Sequence, residues 1–266
     1  MNIADCDNTN MDYSMIDTIE PEEIQEEIVS KSKQTNKGKV KKPINILKTR
    51  HSHDLNIMEI GVDEAGRGPM FGRVYAGAVI LPELFDHSKM KDSKKFTSKK
   101  RIEEAAEYIK SNSLAWAVAY EDECVIDEIN ILQATQSAMH KAIKDVMRQI
   151  SISDANTDNI LLLIDGNYFK PITIFNKKRG KIESVNYTTV TGGDNAYTCI
   201  AAASILAKVE RDKYIEELCK ENPELDERYA IASNMGYGAK KHMDGIKQYG
   251  ITKWHRRTFG ICRNYS

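Results

Sequence analysis

Three acidic positions, Asp63-Glu64, Asp165 and Asp194, are the residues of this 266-residue chain whose types and setting could do chemistry. Residues 57–62 (Ile-Met-Glu-Ile-Gly-Val) alternate and are rich in β-formers, which predicts a strand delivering Asp63 at its end. Residues 160–164 (Ile-Leu-Leu-Leu-Ile) form a continuous apolar run suited to a strand buried on both faces, followed by Asp165-Gly166-Asn167. Ligands of open α/β sheets gather at the carboxyl ends of strands, so Asp63 and Asp165 can share one rim. Neighbouring strand residues point to opposite faces. Asp63 and Glu64 are therefore expected to converge only if the strand stops there and Ala65-Gly66-Arg67-Gly68 re-aims the chain.

Two carboxylates about 5 Å apart repel by about 3 kcal/mol at an effective dielectric near 20, and four converging acids multiply that cost. A divalent cation removes it. Oxygen ligands without nearby His or Cys favour a hard ion, Mg²⁺ or Mn²⁺. Two such ions can activate water and stabilise the leaving oxygen during in-line attack on a phosphodiester. Plainer readings stand beside this one. Asp194, in Gly192-Gly193-Asp194-Asn195, can be a helix N-cap. Asp165-Gly166 can be a turn, and Asp63-Glu64 can be a structural ion pair with Arg67 or a lysine.

The elements that must position these acids follow from periodicity. After a turn at Gly66 and Gly68-Pro69, residues 74–81 read as a strand, 98–110 as a helix and 114–120 as a third strand. A second helix is expected over 132–150, a hairpin around Lys178-Arg179-Gly180, and a long helix over 195–220 with Ala196, Cys199, Ile200, Ala203, Leu206 and Ala207 as its apolar stripe. Shorter helical pieces and a basic segment follow Pro223. The order predicts an α/β fold, a mixed sheet flanked by helices, with a helical C-terminal extension. The expected domains are a tail over 1–55, a catalytic core over 56–222 and a basic, substrate-binding extension over 223–266.

Composition limits the function classes. Hydrophobic residues make up 41% and charged residues 29% of the chain, with a formal net charge of −1. That near-neutral total hides strong segregation: residues 1–30 hold nine acids and no Lys or Arg, whereas residues 31–50 hold eight Lys or Arg and no acids. Such like-charged blocks predict an unstructured tail; the basic block reads equally as a nuclear localisation signal, a nucleic-acid arm or a plain tail. Further basic clusters at 89–101, 170–181 and from 236 onward can neutralise phosphates locally. No apolar run approaches a membrane span and no secretory signal opens the chain, so an intracellular, cytoplasmic protein is expected. Five scattered cysteines without a C-x-x-C pair argue for reduced thiols rather than a zinc module. P-loop, G-x-S-x-G and H-E-x-x-H motifs are absent, which removes support for NTPase, serine-hydrolase and zincin readings.

Asp63-Glu64-Ala65-Gly66-Arg67-Gly68-Pro69 resembles the signature of ribonuclease HII. Further segments match that family in order: Asp92-Ser93-Lys94-Lys95 with Arg101, Asn130-Ile-Leu-Gln133-Ala134-Thr135, Ile164-Asp165-Gly166-Asn167 and Gly193-Asp194. Ala202-Ala203-Ser204-Ile205-Leu206-Ala207-Lys208-Val209 with Arg211-Asp212 continues the match, and Gly236-Tyr237-Gly238 with His242 and His255-Arg256 completes it. The resemblance implies an RNase H-like fold and a metal-dependent endoribonuclease, a monomer acting on RNA–DNA hybrids and on duplex DNA with embedded ribonucleotides. It implies Asp63, Glu64, Asp165 and Asp194 as catalytic, metal-binding acids. It implies Gly66, Arg67 and Gly68 as the turn that reads a ribose 2′-hydroxyl, and Tyr237 as the ring packed on the neighbouring deoxyribose. Lys94 and Lys95 are candidate phosphate contacts. Arg73, Gly192 and Ala239 depart from the family's usual proline, lysine and threonine. A non-catalytic hybrid-binding module and a junction resolvase are the competing readings; the four acids count against the first and the Gly-Arg-Gly turn against the second.

Overall fold

The computed structural model describes residues 47–265 apart from 91, 92, 94, 95, 97, 151–156, 177 and 178. Strands β1 (Met58–Ala65), β2 (Val74–Ile80) and β3 (Ala115–Glu121) form an antiparallel meander. Strand β4 (Ile160–Asp165) adds in parallel to β1; the hairpin of β5 (Thr173–Asn176) and β6 (Lys181–Ser184) forms a separate two-stranded sheet, and β7 (Asn186–Val190) then pairs in parallel with β4. The main sheet thus runs β3-β2-β1-β4-β7.

Helices cover both faces. α1 (Lys99–Asn112), capped by the Ser98 side chain, and α3 (Thr198–Glu221) share one core, where Ile102, Ala106 and Ile109 meet Val79, Leu163, Ile200 and Leu206. α2 (Glu123–Gln149) packs Ala138, Met139, Ala142, Ile143 and Val146 against Ile60, Val62, Leu162 and Ile164 on the other face. α3 lies very close to the sheet because its first turns are built from alanines and the strands beneath carry glycine. A Cβ at Gly61 would sit 2.2 Å from the Cys199 carbonyl carbon, and one at Gly77 would sit 2.4 Å from the Ala203 carbonyl oxygen. Its first half is buried all round, not along one stripe.

Four expectations are corrected. β1 does not stop at Asp63 but stays paired through Glu64 and Ala65, opposite Ala76 and Tyr75. α2 begins nine residues before position 132; Asn130 breaks its helical geometry with φ 67°, and the Asn130 carboxamide oxygen caps the continuation by accepting from the Leu132 and Gln133 N–H groups (3.0 and 3.1 Å). That interruption hides the first segment from any periodicity reading. α3 starts at Thr198, after a 3-10 turn over Gly193–Asn195. The tail does not reach residue 55: Lys48 donates its N–H to the Ala196 carbonyl (2.8 Å) and accepts from Thr198 (3.0 Å), while the His51 and Ser52 N–H groups donate to the Glu59 carboxylate (3.0 and 2.6 Å). The acidic block and most of the basic block lie outside the described residues.

Three short helices follow: α4 (Glu224–Tyr229), α5 (Ile231–Asn234) and α6 (Lys240–Tyr249). They close a third core in which Leu225, Tyr229, Ile231 and Ile246 pack with Ile215 and Leu218 of α3 and with Met70 and Phe71. The C-terminal segment is therefore bound to the turn that follows β1. No helix among the described residues is long and apolar enough to cross a membrane.

Candidate active site

The parallel register of β1 and β4 pairs Val62 with Ile164. The next residue on each strand is an acid, so Asp63 and Asp165 leave neighbouring strands side by side. Strand alternation gives both the face covered by α3, the face of Gly61 and Leu163. Glu64 has the parity of Ile60 and Val62 and so leaves the opposite face. The adjacent acids therefore do not converge through an end of the strand. They approach each other only around its rim.

Asp63 is nearly inaccessible, at 4% exposure. Burial raises its carboxyl well above the ordinary carboxylate range, and the charges of Glu64 and Asp165 push the same way. The Ser204 hydroxyl and the Glu64 N–H (2.7 Å) pull it back. The Ser204 hydroxyl also lies 3.0 Å from that of Ser93. Burial also raises Glu64, opposed by the Arg67 guanidinium, which donates to it at 3.1 Å. Asp165 is raised by burial and by the Asp194 charge, while the N–H groups of Gly193 (2.7 Å), Asp194 and Gly166 hold it down.

Asp194 lies in the Gly193–Asn195 turn, with 4% exposure. Tyr197, not Asp194, is the N-cap position of α3, so the capping alternative for Asp194 is corrected. The hairpin of β5 and β6 lies between Asp165 and Asp194, and β7 returns the chain beside β4, where Asp165 accepts from Gly193. The ion-pair alternative holds for Glu64 with Arg67; the Asp63 carboxylate instead receives Ser204 and backbone.

Gly66, Arg67 and Gly68 form the turn leaving β1. Gly66 has φ +91°, and a Cβ there would meet the Arg211 Nε at 2.8 Å. A Cβ on Gly68 would close to 3.4 Å on the Tyr237 ring, so the absent side chain leaves a gap between turn and ring. Tyr237 is half exposed, and the Arg211 guanidinium lies 5.8 Å from its ring centre. Lys94 and Lys95 lie outside the described residues.

The donor set fits a hard divalent ion: carboxylates only, one of them buried among like charges that a cation would offset. The acids do not close on one point, because among the described residues no three His, Cys, Asp or Glu side chains are gathered as ligands of a single ion. Their charges act on one another in sequence instead, Glu64 and Asp165 on Asp63, and Asp194 on Asp165.

Ser204, which the sequence places only on the long helix, is brought to Asp63 by the fold. Lys208 and Asp212 do pair locally, at 2.6 Å. His255 is bonded to His242 at 3.1 Å. Nothing in the sequence gave Arg256 a role, although it is among the largest fully buried side chains.

A family model described as Ribonuclease HII matches residues 60–262. The ribonuclease HII of Phocaeicola vulgatus is 44% identical over 206 residues, covering 77% of this chain and 90% of its own. That of Cytophaga hutchinsonii is 42% identical over 207 residues, covering 78% and 91%. Among solved structures, the ribonuclease H2 of Pyrococcus horikoshii OT3 superposes with a TM-score of 0.58 at 24% identity, over 79% of this chain and 97% of that one. The RNase HII of the PCNA:RNase HII complex from Archaeoglobus fulgidus gives 0.56 at 22%, over 77% and 96%. At those identities the structures speak for the fold alone.

Proposed function

The chain belongs to the ribonuclease HII family, and from that premise we propose that it hydrolyses the RNA strand of RNA–DNA hybrids and cuts beside ribonucleotides embedded in duplex DNA, leaving 3′-hydroxyl and 5′-phosphate ends. The observation that carries this reading is the side-by-side placement of Asp63 and Asp165 next to a glycine turn that faces an aromatic ring.

Asp63, Glu64, Asp165 and Asp194 would hold the metal. Bound magnesium or manganese, as a pair of ions, supplies the positive charge that an in-line displacement at phosphorus requires. Ser204 orients the Asp63 carboxylate, and the Gly193 N–H orients that of Asp165. Arg67 holds Glu64 at the rim and is exposed enough to exchange that partner for a phosphate. The backbone of Gly66 and Gly68 admits a sugar closely, and the 2′-hydroxyl is the group that separates RNA from DNA there. Tyr237 packs against the next sugar, so a deoxyribose on that side is accepted.

The test is cleavage of a duplex with one embedded ribonucleotide, and of a uniform hybrid, in Mg²⁺ or Mn²⁺. Asp63→Asn should lower kcat by roughly two to three orders of magnitude, the scale of losing one group that handles transition-state charge. Unchanged cleavage by that variant sinks the proposal. Metal-independent binding to hybrids without cutting would instead favour a non-catalytic module.

A further inference from the structure

We propose that the buried His255-Arg256 pair is the positioning element of the ribose site: Arg256 sets the turn, and His255 sets Tyr237 across the gap. The inference rests on the reading that this turn and this ring contact the sugars.

Arg256 is fully buried, and all five of its N–H donors end on carbonyls of one loop. Nε donates to Gly72 (2.8 Å). One terminal nitrogen donates to Arg67 (3.0 Å) and Pro69 (2.8 Å), the other to Gly66 (2.6 Å) and Arg73 (3.1 Å). No other cation can reproduce this, since a lysine has three donors and no plane. The consequence for the site comes from peptide geometry. In a trans peptide the C=O of one residue and the N–H of the next point in opposite directions. Drawing the Gly66 and Arg67 carbonyls inward therefore turns the N–H groups of Arg67 and Gly68 away from the guanidinium, toward the side a ribose hydroxyl would approach.

Burial, and after it the neighbouring Arg211 charge, lower the Arg256 guanidinium to about 9; Glu123 and Asp127 of α2 favour the charged form and, with the carbonyl dipoles, offset part of that cost. Asp127 also anchors the segment, accepting from the Arg257 and Thr258 N–H groups (2.8 and 3.0 Å). Arg256 itself donates its N–H to Met70 (2.9 Å).

His255 works on the other wall. Its Nδ1 accepts from the Thr252 N–H (2.9 Å), which leaves the proton on Nε2, directed at His242 Nε2 (3.1 Å). His242 must accept there, so its proton is on Nδ1 and goes to the Tyr237 carbonyl (2.8 Å). This fixes both tautomers and ties Tyr237 to the residue beside Arg256. Two neighbouring residues thus fix both sides of the gap between Gly68 and Tyr237.

Substrate choice provides the test. A duplex with one ribonucleotide offers a single 2′-hydroxyl, so a displaced turn has no alternative register. A uniform RNA–DNA hybrid offers a 2′-hydroxyl at every step. Arg256→Lys should lower kcat/KM on the single-ribonucleotide duplex by at least about tenfold and on the hybrid by less than about threefold, the pattern of misplacement rather than lost chemistry. Equal losses on both, or none, overturn the proposal. Hydrogen exchange gives an arm independent of activity: amides of residues 66–73 and 237–238 should exchange faster in the variant while β1 and β4 stay protected. Unchanged exchange also overturns it. Asp127→Ala, at a half-buried carboxylate, serves if Arg256→Lys does not fold, and must accelerate the same amides. If the unaltered protein cuts hybrids but ignores the single ribonucleotide, the functional reading fails, and exchange alone then decides the positioning role.

Discussion

Asp63 carries the greatest electrostatic burden of the described residues in the site. Its carboxylate is buried, faces two other acids, and receives a single side-chain donor, Ser204. A hydrogen bond to a charged group is worth about 1.5–3 kcal/mol. If that bond fixes the carboxylate where the reaction needs it, Ser204→Ala should lower kcat by roughly tenfold and leave KM nearly unchanged, since 1.4 kcal/mol is a factor of ten. Steady-state kinetics with a parallel thermal melt separates this from simple destabilisation. A KM effect alone would show that Ser204 serves binding or packing instead. The sequence placed Ser204 on the correct helix, but only the distance between α3 and β1 makes it a partner of Asp63.

That distance is a property of elements. α3 reaches the sheet because Gly61 and Gly77 present no side chain, and the Cys199 and Ala203 backbone occupies the space. The expected strand and helix are both observed, but neither local pattern shows that they touch. Gly77→Ala, at the residue paired with Asp63 across β1 and β2, puts a methyl where the Ala203 carbonyl oxygen sits. It should lower unfolding free energy by about 1–3 kcal/mol or more, the range for overpacked cores, read as a lower urea midpoint with an unchanged slope. A midpoint equal to that of the unaltered protein would mean that α3 moves off the sheet at no cost. The kink at Asn130 belongs to the same scale: it divides α2, and only its lone φ of 67° reveals why the first segment escaped the periodicity.

At the scale of the whole molecule, the C-terminal segment is joined to the turn after β1 through one core and through Arg256, with two histidines packed on Phe71. Burial holds both His242 and His255 below the ordinary histidine value, and for His255 the neighbouring ring adds to the depression, to about 3. The folded protein keeps them neutral while the unfolded chain takes up protons below about pH 6.5. For His255 the stability present above that pH is therefore lost as pH falls from about 6.5 toward 3, by up to about 1.4 kcal/mol per pH unit, and His242 acts in the same direction. The raised carboxyls of the site act in the opposite sense, so a comparison isolates the histidines. Urea unfolding between about pH 7 and pH 5 should show a shallower dependence for His255→Gln than for the unaltered chain. Identical slopes would remove the histidines from the acid response.

Sequence alone determined the strand–helix order, the two strands that carry Asp63 and Asp165, and the family that the ordered motifs resemble. These are local properties, set by hydrophobic period, turn residues and the chemistry of single side chains. Tertiary structure decided the rest. It set Asp63 beside Asp165 through parallel register, sent Glu64 to the opposite face by carrying β1 past it, and returned Asp194 to Asp165 after a hairpin. It also gave Arg256 its five carbonyls, from a loop more than 180 residues earlier in the chain. No spacing rule encodes such contacts, because they depend on which surfaces meet when the chain closes. The buried guanidinium is legible only there, where every donor has found its acceptor.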